Sequence, residues 1–295
     1  MRGRRCWSRL RDQMDSFPNF KASLQATSPR IAKLQAYFES QVLRDDQFIC
    51  SSHESCRKSH RGTFYAGQLP HIGEHYDLER NGYPFRIVVV GQEYGTGPEH
   101  VDLVARRTMI VNGSGRESRF PAGQGFPARN PHMKGCTSVL RLLFGKDLGS
   151  DREGEFLALD GVPVHLFDCF ALVNFLLCSA IPLEVGGGSP GAKPGRSTAT
   201  MHQNCARHFK ATLEILEPTI IVLQGRGVLG WMRAVLEGLS DDVVQTVLLN
   251  GTVARVLAFT HPSAYGPNNW GINDRTPYLC DVVAPAVRRI LCESV

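Results

Sequence analysis

The sequence predicts an α/β layered protein with a mainly parallel sheet, and three observations carry that prediction. Short apolar runs rich in β-branched residues recur along the chain, each closed by glycine or polar turn residues. Segments bearing a helical apolar stripe separate them. The chain has 295 residues, 42% hydrophobic and 21% charged, enough to bury one large core or two modest ones.

Residues 31 to 44, IAKLQAYFESQVLR, place Ile31, Leu34, Phe38 and Val42 at three-to-four spacing, which predicts one face of a helix. FRIVVVGQ, over residues 85 to 92, is a continuous apolar run ended by glycine, the pattern of a strand buried on both faces. TSVLRLLFG at 137 to 145 supplies the next helical stripe, and VPVHLFDCFALV at 162 to 173 reads as a second buried strand. NCARHFKATLEILEP at 204 to 218 is a helix stopped by proline. TIIVLQG at 219 to 225 and VARVLAFTHPS at 253 to 263 complete the strands.

Ligands of parallel sheets bind beyond the carboxyl ends of the strands. Glu93 follows the first run, Asn174 the second, and His261 closes the last, so all three are expected on one sheet edge. Singly, each fits a structural role: a loop acid, a capping amide, a satisfied imidazole. Their shared edge makes them candidate site residues. Residues 111 to 135 and 183 to 203 are rich in Gly, Ser, Pro and basic side chains and are expected to be irregular. Both phosphate contact, with Lys193 and Arg196 as candidates, and a solvated loop fit that composition.

No apolar run approaches the roughly 20 residues a spanning helix needs, so no membrane partner is expected. Residues 1–30 are expected to form a basic arm, disordered or touching nucleic acid, ahead of a single domain over 31–295. Five arginines precede the first acid and no apolar stretch follows, so this segment is not expected to act as a secretory signal. An upstream start, with Met14 the true one, accounts for the arm equally well. The expected setting is the bacterial cytoplasm. Nine cysteines, an odd number without a secretion signal, argue against a disulfide framework and direct attention to metal ligation. The net charge of +5 suits a polyanionic partner without requiring one.

GQEYG at 91–95, LVNFLLC at 172–178 and THPSAYG at 260–266 stand in that order on strand ends, and together they resemble the motifs of the uracil-DNA glycosylase superfamily. Cys50, Cys56, Cys178 and Cys205 occupy the places where its iron–sulfur branch holds a 4Fe-4S cluster, although five residues rather than two separate Cys50 from Cys56. A structural zinc is the alternative for the same four sulfurs. The other cysteines are expected to pack as small hydrophobes. The resemblance covers most of residues 30 to 290. It implies a three-layer α/β/α fold around a central four-stranded, mainly parallel sheet, and a monomer that binds DNA and flips one nucleotide out of the stack.

Roles follow from the resemblance residue by residue. Glu93 would position a water and stabilise the cationic sugar, and His261 would donate to the departing base. Asn174 would read the base edge, and Gln92 would help hold it. Tyr94 stands where relatives usually carry Pro. His132 or Met133 falls where they carry a base-stacking Phe, so both uracil and an enlarged modified cytosine are open as substrates. Ser263 would press on the DNA backbone and Tyr265 or Trp270 would wedge into the stack, Trp270 being the better core residue. The implied activity is that of a monofunctional DNA glycosylase. Alternatives are an antiviral glycosylase acting on glucosylated hydroxymethylcytosine in phage DNA, a non-catalytic base-binding module, and an α/β enzyme acting on a small nucleotide. Covalent trapping of the product is disfavoured, because the loop before Cys205 has no His until His202.

Overall fold

The apolar runs supply four adjacent parallel strands. The structure, a computed structural model, describes residues 19–117, 128–149, 151–182 and 197–293. Its main sheet consists of β1 (His71–Ile72), β2 (Ile87–Gly91), β3 (Ala171–Asn174), β4 (Ile220–Gln224), β5 (Val244–Leu249) and β6 (Thr252–Phe259). Their spatial order is β5-β6-β4-β2-β3-β1. β6, β4, β2 and β3 pair in parallel, with Asn174 opposite Gly91 and Ile220 opposite both Ile87 and Arg255. β1 and β5 add antiparallel edges, so the expected four parallel strands sit inside a sheet of six. β5 joins β6 through Asn250 and Gly251, both at positive φ (46° and 79°), the backbone a two-residue hairpin requires.

Among the described residues seven α-helices pack around this sheet: α1 (Leu24–Gln41), α2 (His53–Lys58), α3 (Leu103–Thr108), α4 (Pro131–Leu143), α5 (Ala199–Leu216), α6 (Arg226–Met232) and α7 (Ala284–Cys292). Alternate strand residues face opposite layers, as the period of two dictates. Val88, Val90, Val173, Ile221 and Leu223 share one core with Leu34 and Phe38 of α1 and Phe209 and Leu213 of α5. Ile87, Val89, Leu172, Val222 and Leu257 share the other with Val139 and Leu143 of α4 and Val287 and Ile290 of α7. The result is helices on both faces of a mainly parallel sheet.

Several boundaries differ from the sequence reading. The run 162 to 173 is two elements: Val162–His165 pairs antiparallel with Phe156–Leu159, and only Ala171–Asn174 joins the main sheet. The break is the turn Leu166–Asp168, whose N-cap His165 accepts from Phe167 N, and Pro163, lacking an N–H, sits in the two-stranded ladder before it and not in the main sheet. The domain begins before residue 31, because Phe20–Ala22 pairs with Leu78–Arg80 and α1 starts at Leu24. The irregular segment expected at 111 to 135 is shorter. Residues up to Arg116 form helical turns, and α4 starts at Pro131 behind the N-cap Asn130, whose side chain accepts from Met133 N. Lys193, Arg196 and Cys6 lie outside the described residues. No helix among the described residues is long and apolar enough to cross a membrane.

The chain order of the parallel strands locates the crevice. From β2 the chain proceeds to β3 on one side, crosses back to β4 on the other, and continues outward to β6. β2 and β4 therefore flank a switch point, and the space beyond their carboxyl ends is where a ligand site forms in such sheets.

Candidate functional site

Gly91 ends β2, and what surrounds it defines the centre of the site. A Cβ on Gly91 would lie 2.4 Å from Asn174 Oδ1 and 3.1 Å from His132 Cε1, so only glycine lets these two side chains close over the strand end. Asn174 is buried and, among the described residues, its amide has no hydrogen-bond partner. His132 occupies the first turn of α4, aimed here because Asn130 caps the helix and Pro131 starts it. Met133, the other candidate at this place, is instead core.

His261 stacks on His132 with ring centroids 6.2 Å apart and planes 24° from parallel. Asn174, His132 and His261 thus converge on one end of the sheet. Gln224, the last residue of β4, backs them: it is buried, its Nε2 donates to Cys136 Sγ at 3.3 Å, and it lies within reach of His132. Sequence reasoning missed Gln224, although a polar residue closing an apolar strand was the available signal.

Both imidazoles are held neutral. Burial, helped by the proximity of His261, pushes His132 down to about 3. His261 is exposed at its outer side, and the surrounding protein still lowers its pKa. Its Nδ1 accepts the backbone N–H of Ser263 at 3.2 Å, which leaves the proton of the neutral ring on Nε2. Ser263 Oγ stands 2.8 Å from the same Nδ1. Ser263, expected against the DNA backbone, therefore props the imidazole.

Glu93 lies on the same edge, two residues past Gly91, and its carboxylate is pinned. Oε2 accepts from Ala180 N at 3.0 Å and Oε1 from Gln92 Nε2 at 3.4 Å. Burial raises its pKa against these hydrogen bonds. Gln92 Nε2 also donates to Ser197 Oγ at 2.7 Å, so the Gln92 side chain braces the acid and its carbonyl accepts from Leu176 N. The other nearby acids are committed: Glu99 accepts from Ala66 N at 3.0 Å, and Asp102 caps α3 through Ala105 N at 2.7 Å.

Tyr94, an expected pocket residue, is placed differently, whereas Trp270 takes the core place already favoured for it. Tyr94 lies under Arg106, whose Cζ is 3.4 Å from the ring centroid, and its hydroxyl is buried without a partner. It packs in the loop wall and does not present that hydroxyl to the groove; burial pushes it up to about 12. Trp270 is fully buried, edge-on to Phe259, and donates to Thr260 O at 2.8 Å, so it is core. Tyr265 is 98% exposed at the rim. His202 is also structural, stacked on Trp231 with centroids 4.0 Å apart and Nδ1 against Thr198 O.

Cys50, Cys56, Cys178 and Cys205 line a single cavity with Val42, Phe48 and His208. All four are free thiols. Burial raises Cys56, Cys178 and Cys205, the last to about 12, and the neighbouring sulfurs add to the effect. Donors nonetheless face the sulfurs: Asn204 Nδ2 lies 3.3 Å from Cys56 Sγ, Arg207 Nη2 lies 4.0 Å from Cys50 Sγ, and backbone groups of Gly67 and Leu177 approach Cys178 and Cys205. Among the described residues no group of three or more His, Cys, Asp or Glu side chains is arranged to hold a metal ion. The cavity that the four cysteines line is small, about 10 Å³, room for about one water. Cys136 and Cys169 are buried as expected, whereas Cys292 is exposed. No model of a known protein family matches this chain, and no curated protein matches it.

Proposed function

We propose that this protein is a DNA glycosylase that accepts a flipped-out pyrimidine nucleotide at the β2/β4 crevice and hydrolyses its N-glycosidic bond. The observation that carries this reading is the meeting of the unengaged Asn174 amide, His132 and His261 around Gly91. An amide with a free donor and a free acceptor matches a pyrimidine edge. A neutral imidazole with its proton on Nε2 donates to the oxygen of a base that leaves with the bonding electron pair. Glu93 takes a proton from the water whose oxygen bonds to C1′, and its charge favours the cationic sugar. Ala180 N–H fixes the acid and Ser263 fixes the imidazole, so neither needs to reorganise during the reaction.

The four-cysteine cavity belongs to the proposal as the seat of a 4Fe-4S cluster. A zinc ion draws its sulfurs to within about 2.3 Å of one centre, whereas a cluster takes one sulfur per iron and keeps them around a shared volume. Four cysteines lining one cavity, with donors turned toward the sulfur atoms, support thiolate ligation, and the motif resemblance selects the cluster over zinc, with the small cavity opening to admit it. The cluster would act as a clasp between residues 50–56, the loop after β3 and α5. DNA is the proposed partner, with the protein acting as a monomer.

Two substrate readings share this site. The imidazole of His132 is smaller and more polar than a phenyl ring, which favours a modified cytosine over plain uracil. Base release from duplexes carrying uracil, hydroxymethylcytosine or its glucosylated form distinguishes the readings. Glu93→Gln should keep DNA affinity while abolishing abasic-site formation, since the amide still accepts from Ala180 N. Unchanged turnover in that variant would move the chemistry off Glu93, and no release from any duplex would favour a non-catalytic binding module.

A further inference from the structure

The amino edge of the same sheet carries a second, unrelated cavity. It has a volume of about 390 Å³ and is lined by Arg80, Asn81, Tyr83, Pro84, Phe85, Thr219, Ile220, Val253 and Arg255. β2, β4 and β6 run parallel, and this cavity lies where they begin, next to Ile87, Ile220 and Thr252, at the end of the sheet opposite the Gly91 site.

Its chemistry is one-sided. Two guanidinium groups, an amide, a phenol and a hydroxyl line it, and among the described residues no carboxylate does. Arg255 shares its charge with Glu293 at 3.4 Å and donates to Thr246 Oγ1. Arg80 has no acidic partner among the described residues; its Nη1 donates to Leu291 O at 3.2 Å and its Nε is buried without a partner. Burial lowers its pKa, opposed by the nearby Cys292 thiol and by no carboxylate among the described residues. An incompletely solvated cation without a counter-charge is unfavourable unless an anion completes it. Pro84, Phe85, Ile220 and Val253 give the cavity an apolar wall, with Tyr83 largely exposed at its mouth. Its size falls within the range of small-molecule sites.

We propose that this cavity binds a small organic anion: a phosphate or carboxylate head held by Arg80 and Arg255, with an apolar or aromatic body against Phe85 and Val253. A guanidinium pair suits such a head because its planar donors match two oxygens at once. The site is independent of the reaction at the Gly91 edge.

Calorimetric titration of the full-length protein with phenyl phosphate, inorganic phosphate and phenol tests this. Phenyl phosphate should bind more tightly than either fragment. Arg80→Met should weaken it roughly tenfold or more, the usual result of losing a charge-assisted hydrogen bond. Val253→Trp provides a second variant that leaves both arginines in place; Val253 is 56% exposed, so a larger ring there is tolerated and should fill the cavity. Abolished phenyl phosphate binding with an unchanged melting temperature supports the site. Phenyl phosphate binding no tighter than inorganic phosphate, or binding that survives Val253→Trp, overturns it.

Discussion

Replacing Arg129 by Met should destabilise the protein by about 3–5 kcal/mol and disturb the reaction site at the same time. Arg129 is fully buried one residue before the cap of α4, the helix whose first turn holds His132. Its guanidinium grips Glu155 through both oxygens, at 2.9 and 2.6 Å, donates to Thr137 Oγ1 inside α4, and reaches back to Ser114 O at 2.7 Å. Glu155 is 2% exposed, so removing Arg129 strands a carboxylate in the interior.

The magnitude can be approached from the acid as well. Burial would raise the pKa of Glu155, yet hydrogen bonds from His165 and Arg129 outweigh it and hold the carboxyl at about 2 against an ordinary 4.5. A depression of that size corresponds to about 3 kcal/mol of stability, part of which His165 supplies. Because the folded-state pKa is lowered, the contribution is complete above the pH where the unfolded chain titrates, and it is lost as pH falls from 4.5 toward about 2. Urea unfolding at pH 7 should show the loss as a lower midpoint with an unchanged slope. The double variant Arg129→Met, Glu155→Leu should recover much of it, since no charge then remains unpaired. A loss in Arg129→Met below about 1 kcal/mol, the range of exposed ion pairs, would refute the picture of a sealed pair under α4.

If Glu93 is the proton acceptor, the acid limb of base release should lie above the pH of an ordinary glutamate, because its raised pKa makes the carboxylate protonate early as pH falls; a pH–rate profile checks this, and Glu93→Gln should also raise the melting temperature by removing a desolvated charge. Cys205→Ser should remove the visible absorbance expected of a bound cluster and lower thermal stability, whereas zinc content without colour would select the alternative metal. Tyr265→Ala should leave stability within about 0.5 kcal/mol, since nothing packs on an exposed ring, and should reduce the rate of base release if the ring wedges into DNA; unchanged release would assign the wedge elsewhere.

The parallel core was legible because strands buried on both faces must be apolar at every position, and FRIVVVG and TIIVLQ satisfy that without alternation. β5 was not found, since an edge strand exposed on one face reads as an ambiguous VVQTVLLN. The Asn250-Gly251 pair behind it was nevertheless a strong hairpin signal. The start of α4 was missed in the same way. RNPHM reads as loop by composition, but Asn followed by Pro is also a cap and first helical residue, and that alternative places His132 at Gly91. Residue types on strand ends were readable, while hydrogen-bond allegiance was not. Ser263 serves His261, and Tyr94 serves Arg106, through contacts that depend on loop geometry no local pattern encodes.

The Gly91 site and the cysteine cavity are joined through a few residues of backbone. Beyond Asn174 the chain stays fastened to β2, with Phe175 N donating to Gly91 O and Leu176 N to Gln92 O, both at 2.9 Å. Leu177 O then accepts from Gln68 N, Cys178 enters the cavity, and Ala180 N reaches Glu93. The segment 174–180 therefore holds the Asn174 amide at one end and the hydrogen bond to Glu93 at the other, with a cavity cysteine between them. A clasp on Cys178 limits how far either end can drift. On the proposed reading, a cluster bound to the four cysteines would help set the spacing between Asn174 and Glu93 without touching substrate, and losing it should lower base release before it lowers DNA affinity.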